Sequence, residues 1–516
     1  MRKYIYFTVF ISGMTTLAAE FSASRLLGNV FGTSNLVWAA IIGLILIYLS
    51  LGYFLGGRWA DRSPHAKTMY QILAWGAFTL GVVPYVAQPV LQAAATAFDG
   101  LQVSILLGSF AAVLVLFSLP VTLLGMVSPF AIRLSIQEAN HAGNVSGNIY
   151  AISTLGSFIG AFLPVMVLIP TIGTTKTFLF FSVFLLCVAL AGLGMSAGRK
   201  VMLTYLLMIA LLAGVALLGG RGGIKKTTGQ IFETESAYNY IQVLEVDGYR
   251  YLRLNEGQGI HSIYHPETLD YGGPWQQFLV GPFFYPNRSP EDVQRIAIIG
   301  LAAGTTARQA AHVFPNVVID GFEIDPEIAR IGHEYFGMNL PNLNVILQDG
   351  RWGLANSPEK YDLIGVDAYR PPYIPWHMTT QEFFQVVADH LTEKGALVIN
   401  VGHAPGDRRL IDGLATTIGT IFPSVYVVDI PGTFNSMIYA TRQPTQAANL
   451  DENLRALSGR GDAPPLLLGS MSLAWTNLQP SPQHSLVFSD DLAPIEWITN
   501  NMILNFMLHG EIDTLQ

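Results

Sequence analysis

Cysteine is almost missing from this chain: of 516 residues, one is cysteine, Cys187. A single thiol inside an apolar run excludes an intramolecular disulfide and a cysteine-built zinc site, and no metal is expected. Charged residues are scarce too, 12% against 51% hydrophobic, which departs from soluble composition toward that of a membrane protein. Lysine and arginine number 28 against 36 acids, for a net charge of -8. With no basic block among them, the chain lacks the electrostatic footprint of a nucleic-acid binder. Acids are rarest early on. Glu20 is the one carboxylate well inside an apolar span. An ionisable group at that depth is costly enough to mark a functional position; a hydrogen-bonded carboxylate that fixes helix packing is the other reading.

The apolar excess lies in residues 4 to about 220, and the remainder reads as globular. Tyr4 to about Phe31 is too long for a signal h-region and has no small-residue cleavage site, so a retained transmembrane helix is expected. Further spans are expected at about 35–57, 68–92, 102–128, 145–170, 174–196 and 201–219. The resulting α-helical transmembrane bundle fills residues 1–220, each of its seven helices near the ~20 residues that cross roughly 30 Å of hydrocarbon. Gly52 with Gly56, and Gly156 with Gly160, are four apart and predict close helix contacts. Pro120 and Pro129 predict a kink in the fourth span, with a break lining a polar cavity as the alternative.

Basic residues disagree with the span count. Arg2, Lys3, Arg58, Arg62, Lys67, Arg133, Arg199 and Lys200 fall on one side, and Lys176, Arg221, Lys225 and Lys226 on the other. The larger group favours a cytoplasmic amino terminus. Seven spans then leave the globular half outside, where a nucleoside substrate is scarce. Gly56 to Arg62 also resembles the cytoplasmic loop between the second and third helices of major-facilitator transporters. The expected localisation is multi-pass in the cell membrane, with the globular half cytosolic because its chemistry requires it.

Residues 221–264 are expected to hold a linker and a small antiparallel β-sheet, with alternating runs at Tyr240–Leu244 and Tyr251–Leu254. From 265 to 516 the chain reads as an α/β doubly wound domain, Rossmann-like and of methyltransferase type. Strand-like runs at 296–300, 317–323, 343–347, 361–366 and 396–401 alternate with helical stretches at about 305–314, 326–337 and 380–392. Such sheets bind ligands at the carboxyl ends of their strands. Gly300 and Gly304 there allow close backbone approach, and Glu323 closes the second strand, placed to accept two ribose hydroxyls. A βαβ crossover without ligand would share the glycine pattern.

The succession Ile298-Ile299-Gly300 to Gly304, Glu323-Ile324-Asp325-Pro326, Asp349-Gly350-Arg351, Tyr361 to Asp367 and Thr380 to Phe384 resembles the spermidine synthase, or polyamine aminopropyltransferase, family. Leu254 to Gln258 and Ser262 to Pro266 resemble the segment before its nucleotide fold, and the whole is similar to bacterial membrane-fused spermidine synthase-like proteins. The resemblance implies a donor substrate, decarboxylated S-adenosylmethionine or S-adenosylmethionine, and a small amine or polyamine acceptor. By the same resemblance Glu323 holds the ribose, and Asp349 the adenine amine with Gly350 and Arg351 completing its loop. Asp367 deprotonates the attacking amine. Gln258 lines the acceptor pocket, and Tyr264 and Trp275 wall it. A strand-end carboxylate that caps its loop is the other reading of Asp367. A homo-oligomer and contact with the lipid bilayer are also expected.

Two positions depart from the family. Ala303 stands where the glycine loop carries an aspartate for the donor's amine, and Arg370 where the catalytic loop has a second aspartate. A guanidinium suits a carboxylate, which admits intact S-adenosylmethionine or an acidic acceptor. Tyr369, Tyr373, Trp376 and His377, with Pro371, Pro372 and Pro375, form an aromatic loop expected to act as a lid. Asp490 and Asp491 border the pocket or cap the next helix. The expected activity is aminopropyl transfer to an amine with release of methylthioadenosine. The alternatives are a methyltransferase on the same fold, or an amine transporter or sensor whose nucleoside domain does not turn over.

Overall fold

Long apolar runs with few breakers fold as helices, because a helix satisfies its backbone groups internally. In the computed structural model, which describes residues 2–31, 35–99, 104–136, 141–219, 227–255, 259–369, 373–404, 406–482 and 484–509, these runs give α1 (Arg2–Phe31), α2 (Asn35–Arg62), α3 (Ala66–Asp99), α4 (Ser104–Gly125), α5 (Val127–Ser135), α6 (Ala142–Leu163), α7 (Ile169–Ile172), α8 (Thr174–Ala197) and α9 (Arg199–Gly219). A π-turn, Pro164–Leu168, joins α6 to α7. Seven stretches are long and apolar enough to cross a membrane, as the sequence predicts, with α4–α5 and α6–α7 each counting as one.

Glycine sets the helix contacts. A Cβ on Gly156 would stand 2.0 Å from the Phe10 carbonyl oxygen, and one on Gly160 2.1 Å from that of Met14, so α6 lies directly against α1. Gly52 and Gly56 do the same for α2, facing Thr122 and Met126. The fourth span bends without breaking. Met126 donates to the Thr122 carbonyl at 3.2 Å and accepts from the Phe130 N–H at 3.4 Å, carrying the helical ladder across the junction. Gly56 to Arg62, read as a loop, is the last two turns of α2. Arg25, the nearest base to Glu20 in sequence, turns its guanidinium to the carbonyls of Ser236 (2.5 Å) and Tyr238 (3.1 Å).

Contacts divide the chain into two units, Met1–Thr228 with Glu233–Tyr240, and Gly229–Phe232 with Ile241–Gln516. Strands β1 (Gln230–Glu235), β2 (Tyr240–Val246), β3 (Tyr249–Leu254) and β4 (Ile260–Tyr264) form the small sheet in chain order. There follow β5 (Arg295–Ile299), α10 (Thr305–Val313), β6 (Val318–Phe322), α11 (Pro326–Tyr335), β7 (Leu343–Ile346), α12 (Gly350–Ala355), β8 (Tyr361–Val366), α13 (Gln381–His390), β9 (Leu391–Gly402), α14 (Arg409–Gly419), β10 (Ser424–Asp429), β11 (Asn435–Thr441), α15 (Ala448–Ser458), α16 (Pro465–Thr476) and α17 (Ile495–His509).

The large sheet runs β10-β11-β9-β8-β5-β6-β7. Its pairs from β9 to β7 are parallel, while β11 is antiparallel to both β9 and β10. Alternation along β5 sends Ile296 and Ile298 to one core with Phe283 and Phe284, and Ala297 and Ile299 to another with Phe383 and Phe384. Both faces are therefore covered, as a mainly parallel sheet requires. The chain order reverses between β5 and β8, and the carboxyl ends there form the crevice where such sheets take ligands.

Candidate active site at the strand ends

The glycine turn after β5 is tight because its backbone is left-handed at two positions. Gly300 has φ +84° and Gly304 φ +84°, a left-handed conformation that disfavours side chains. A Cβ on Gly300 would come within 2.5 Å of the Asp367 carbonyl oxygen, so glycine lets this turn lie against the end of β8. The turn is also stitched to the small sheet. The Ala303 N–H donates to Ser262 Oγ (2.9 Å), and the Thr305 hydroxyl exchanges bonds with Ile263.

Glu323, 7% exposed at the end of β6, grips that turn. Its Oε2 accepts the Ala302 N–H (2.9 Å) and its Oε1 the Asp325 N–H (3.0 Å). Burial pushes its carboxyl up to about 7, against the backbone donors of Asp325, Ala302 and Ile324, which favour the charge. A carboxylate has about four lone-pair sites, and backbone N–H groups occupy at least two of those on Glu323.

Asp349 caps α12, its Oδ1 accepting the Trp352 N–H at 3.0 Å, while its Oδ2 meets His377 Nε2 at 3.1 Å. The His377 hydrogen bond holds its carboxyl below the usual range. Gly350 is buried, its α-carbon turned to Ile299. Arg351 makes a bidentate pair with Asp490 (both 2.7 Å) and reaches the His377 carbonyl (2.9 Å). Asp490 also accepts from Thr380 Oγ1 (2.7 Å), so it clamps the C-terminal segment to α12 and α13 and caps no helix.

Asp367 follows β8, its N–H bonded to Ile299 O (2.8 Å). Its Oδ1 accepts the Asn400 amide at 3.0 Å, and burial pushes its carboxyl up to about 6, opposed by that hydrogen bond. Tyr369 donates to the Asn400 carbonyl (3.1 Å) and accepts the Gly402 N–H (2.6 Å), pinning the end of β9 behind Asp367. Asn400 is the residue that sequence reasoning missed. The strand-like run at 396–401 falls within β9, but nothing in its pattern distinguishes a polar residue facing a buried carboxylate from one facing solvent.

The substrate-side positions fall differently. Tyr264 ends β4 with the Arg308 guanidinium over its ring at 4.3 Å. Trp275, 8% exposed, opens a fully buried 3-10 segment, Trp275–Phe284, that the sequence reading did not separate from its surroundings. Gln258 and Arg370 lie outside the described residues, as do Pro371 and Pro372. The described flanks of the aromatic loop are anchored, with Tyr373 Oη on Asn500 of α17 (2.5 Å) and His377 on Asp349. Ala303 is 1% exposed and joins an apolar cluster with Ile331 and Phe336.

A five-stranded parallel core with carboxylates after β6, β7 and β8 defines a doubly wound fold of the methyltransferase type. The family model of the spermine/spermidine synthase domain matches residues 285–452. A probable polyamine aminopropyl transferase of Bifidobacterium longum is 30% identical over 283 residues, 52% of this chain and 62% of that protein. The polyamine aminopropyltransferase of Vibrio vulnificus is 30% identical over 215 residues, 39% of this chain and 68% of that protein. A crystal structure of a probable spermidine synthase from Corynebacterium glutamicum shares 20% identity with a TM-score of 0.39, covering 51% of this chain and 98% of that one. The chain belongs to the spermidine synthase, or polyamine aminopropyltransferase, family of transferases. It spans 62% of the length of the Bifidobacterium relative.

Proposed function

We propose that this chain is an integral membrane aminopropyltransferase that joins the aminopropyl group of decarboxylated S-adenosylmethionine to a small amine. The observation that carries this reading is that Glu323, Asp349 and Asp367 follow β6, β7 and β8, which with β5 and its Gly300 turn are four consecutive strands of the sheet. Glu323 takes the ribose hydroxyls and Asp349 the adenine amine. That leaves the sulfonium arm directed past the glycine turn toward Asp367. Asp367 removes a proton from the acceptor ammonium, whose freed lone pair attacks the methylene beside sulfur. The C–N bond forms as the C–S bond breaks, and neutral methylthioadenosine leaves with the electron pair. A carboxyl held near 6 is more basic than an ordinary aspartate yet still ionised at neutral pH. The seven apolar helices hold the enzyme in a bilayer, and a cytosolic catalytic unit gives it access to the nucleoside donor.

A second reading, methyl transfer from intact S-adenosylmethionine, is favoured by Ala303. Its methyl lies in an apolar cluster where the family places the carboxylate for the donor's amine. Purified full-length chain supplied separately with each donor and a panel of amines distinguishes them. Methylthioadenosine and an elongated amine support aminopropyl transfer; S-adenosylhomocysteine and a methylated product overturn it.

A further inference from the structure

In the helical unit, a groove of about 390 Å³ lies between α2, α3, α4 and α9, a size suited to a small ligand. Trp59, Gln71, Trp75, Leu119, Leu123 and Tyr205 line it. From Thr68 to Thr79 it follows α3 for roughly 16 Å at 1.5 Å per residue. Its two ends differ. Trp59 and Tyr205 come from the last turn of α2 and the second turn of α9, whereas Trp75 and Leu119 lie deeper and are 49% and 56% exposed. The Gln71 amide and the Tyr205 hydroxyl have no protein partner among the described residues, so each is free to bond a ligand.

Charge decides what that ligand is. Arg58, Arg62, Lys67, Arg199 and Lys200 stand exposed at the same helix ends. Asp61, the one carboxylate of residues 58–67, is already paired with Arg133 at 3.3 Å. No carboxylate lines the groove. A polyamine would find no carboxylate in the lining and an excess of bases at the neighbouring helix ends, while an anion finds those bases and two free hydrogen-bonding groups. We propose that this groove binds an anionic phospholipid, its headgroup against Gln71, Tyr205 and the flanking bases and an acyl chain between Trp59 and Trp75. Aromatic residues at this depth suit the boundary between headgroup and hydrocarbon. The proposal rests on the bilayer reading above.

The test uses the full chain, purified in uncharged detergent and stripped of lipid. It is titrated with phosphatidylglycerol or phosphatidylcholine carrying brominated acyl chains, which quench nearby tryptophans. Saturable quenching is expected at least about tenfold tighter for phosphatidylglycerol. Trp59→Phe with Trp75→Phe should remove that component. Lys67→Gln with Lys200→Gln, on the exposed rim, should erase the preference while the thermal midpoint stays in place. Equal affinity for the two lipids, quenching that survives loss of both tryptophans, or displacement by spermidine would overturn the proposal. Release of the chain from native membranes by alkaline carbonate would instead sink the bilayer reading, and the groove with it.

Discussion

Asp367→Asn should separate stability from turnover. Burial lifts this carboxyl to about 6, roughly two units above an ordinary aspartate, and each unit corresponds to ~1.4 kcal/mol. A carboxyl whose folded value is raised holds its proton more tightly in the folded chain. Its contribution is fully present below about pH 4 and is lost as pH rises through about 6, so at pH 8 the ionised Asp367 is a cost of up to ~3 kcal/mol. Asp367 keeps some accessible surface, and solvent screening reduces this to about 1–2 kcal/mol. Asparagine removes the charge and still accepts the Asn400 amide that now bonds Oδ1 at 3.0 Å. The variant should therefore melt several degrees higher than wild type at pH 8, at ~2–4 °C per kcal/mol, and the two should converge near pH 4. Aminopropyl transfer should fall by ~100-fold or more, the contribution of a positioned base. The assay is intrinsic-fluorescence melting across pH alongside turnover at pH 8. A variant no more stable than wild type at pH 8, or one that keeps its rate, would refute the reasoning.

Three other outcomes are expected. Asn400→Ala removes the hydrogen bond that favours ionised Asp367, so the acidic limb of the rate profile should move up by about one pH unit; an unmoved limb would detach Asn400 from the chemistry. Glu323 titrates near 7, so donor affinity measured by calorimetry should weaken as pH falls through that value, and Glu323→Gln should flatten the dependence. Gly300→Ala must place a methyl 2.5 Å from the Asp367 carbonyl at φ +84°. It should cost ~1–2 kcal/mol in backbone strain alone and abolish nucleoside binding, read by the same titration; wild-type binding would show that the turn yields.

The parallel core was legible because its strands are short apolar runs ending in glycine or acid. The predicted run at 361–366 matches β8 (Tyr361–Val366), and the run at 343–347 overruns β7 (Leu343–Ile346) by one residue. The antiparallel edge was not. Strands β10 and β11 carry the same β-branched and aromatic content, but nothing local reveals that β11 inserts between β9 and β10. At the site, Gly300, Glu323, Asp349 and Asp367 stand at the strand ends where the pattern places them, because spacing along the chain fixes which strand end each one terminates. Partners supplied from distant sequence were invisible: Asn400 lies 33 residues from Asp367, and Asp490 lies 139 from Arg351.

The central claim is that three strand-end carboxylates hold an adenosyl sulfonium with its activated carbon facing Asp367. The nucleoside released by the full-length chain tests it most directly. Incubated with decarboxylated S-adenosylmethionine and putrescine, the chain should release methylthioadenosine in step with an aminopropylated amine, and Asp367→Asn should stop both. Release of S-adenosylhomocysteine from the intact donor, with no methylthioadenosine from the decarboxylated one, would contradict it.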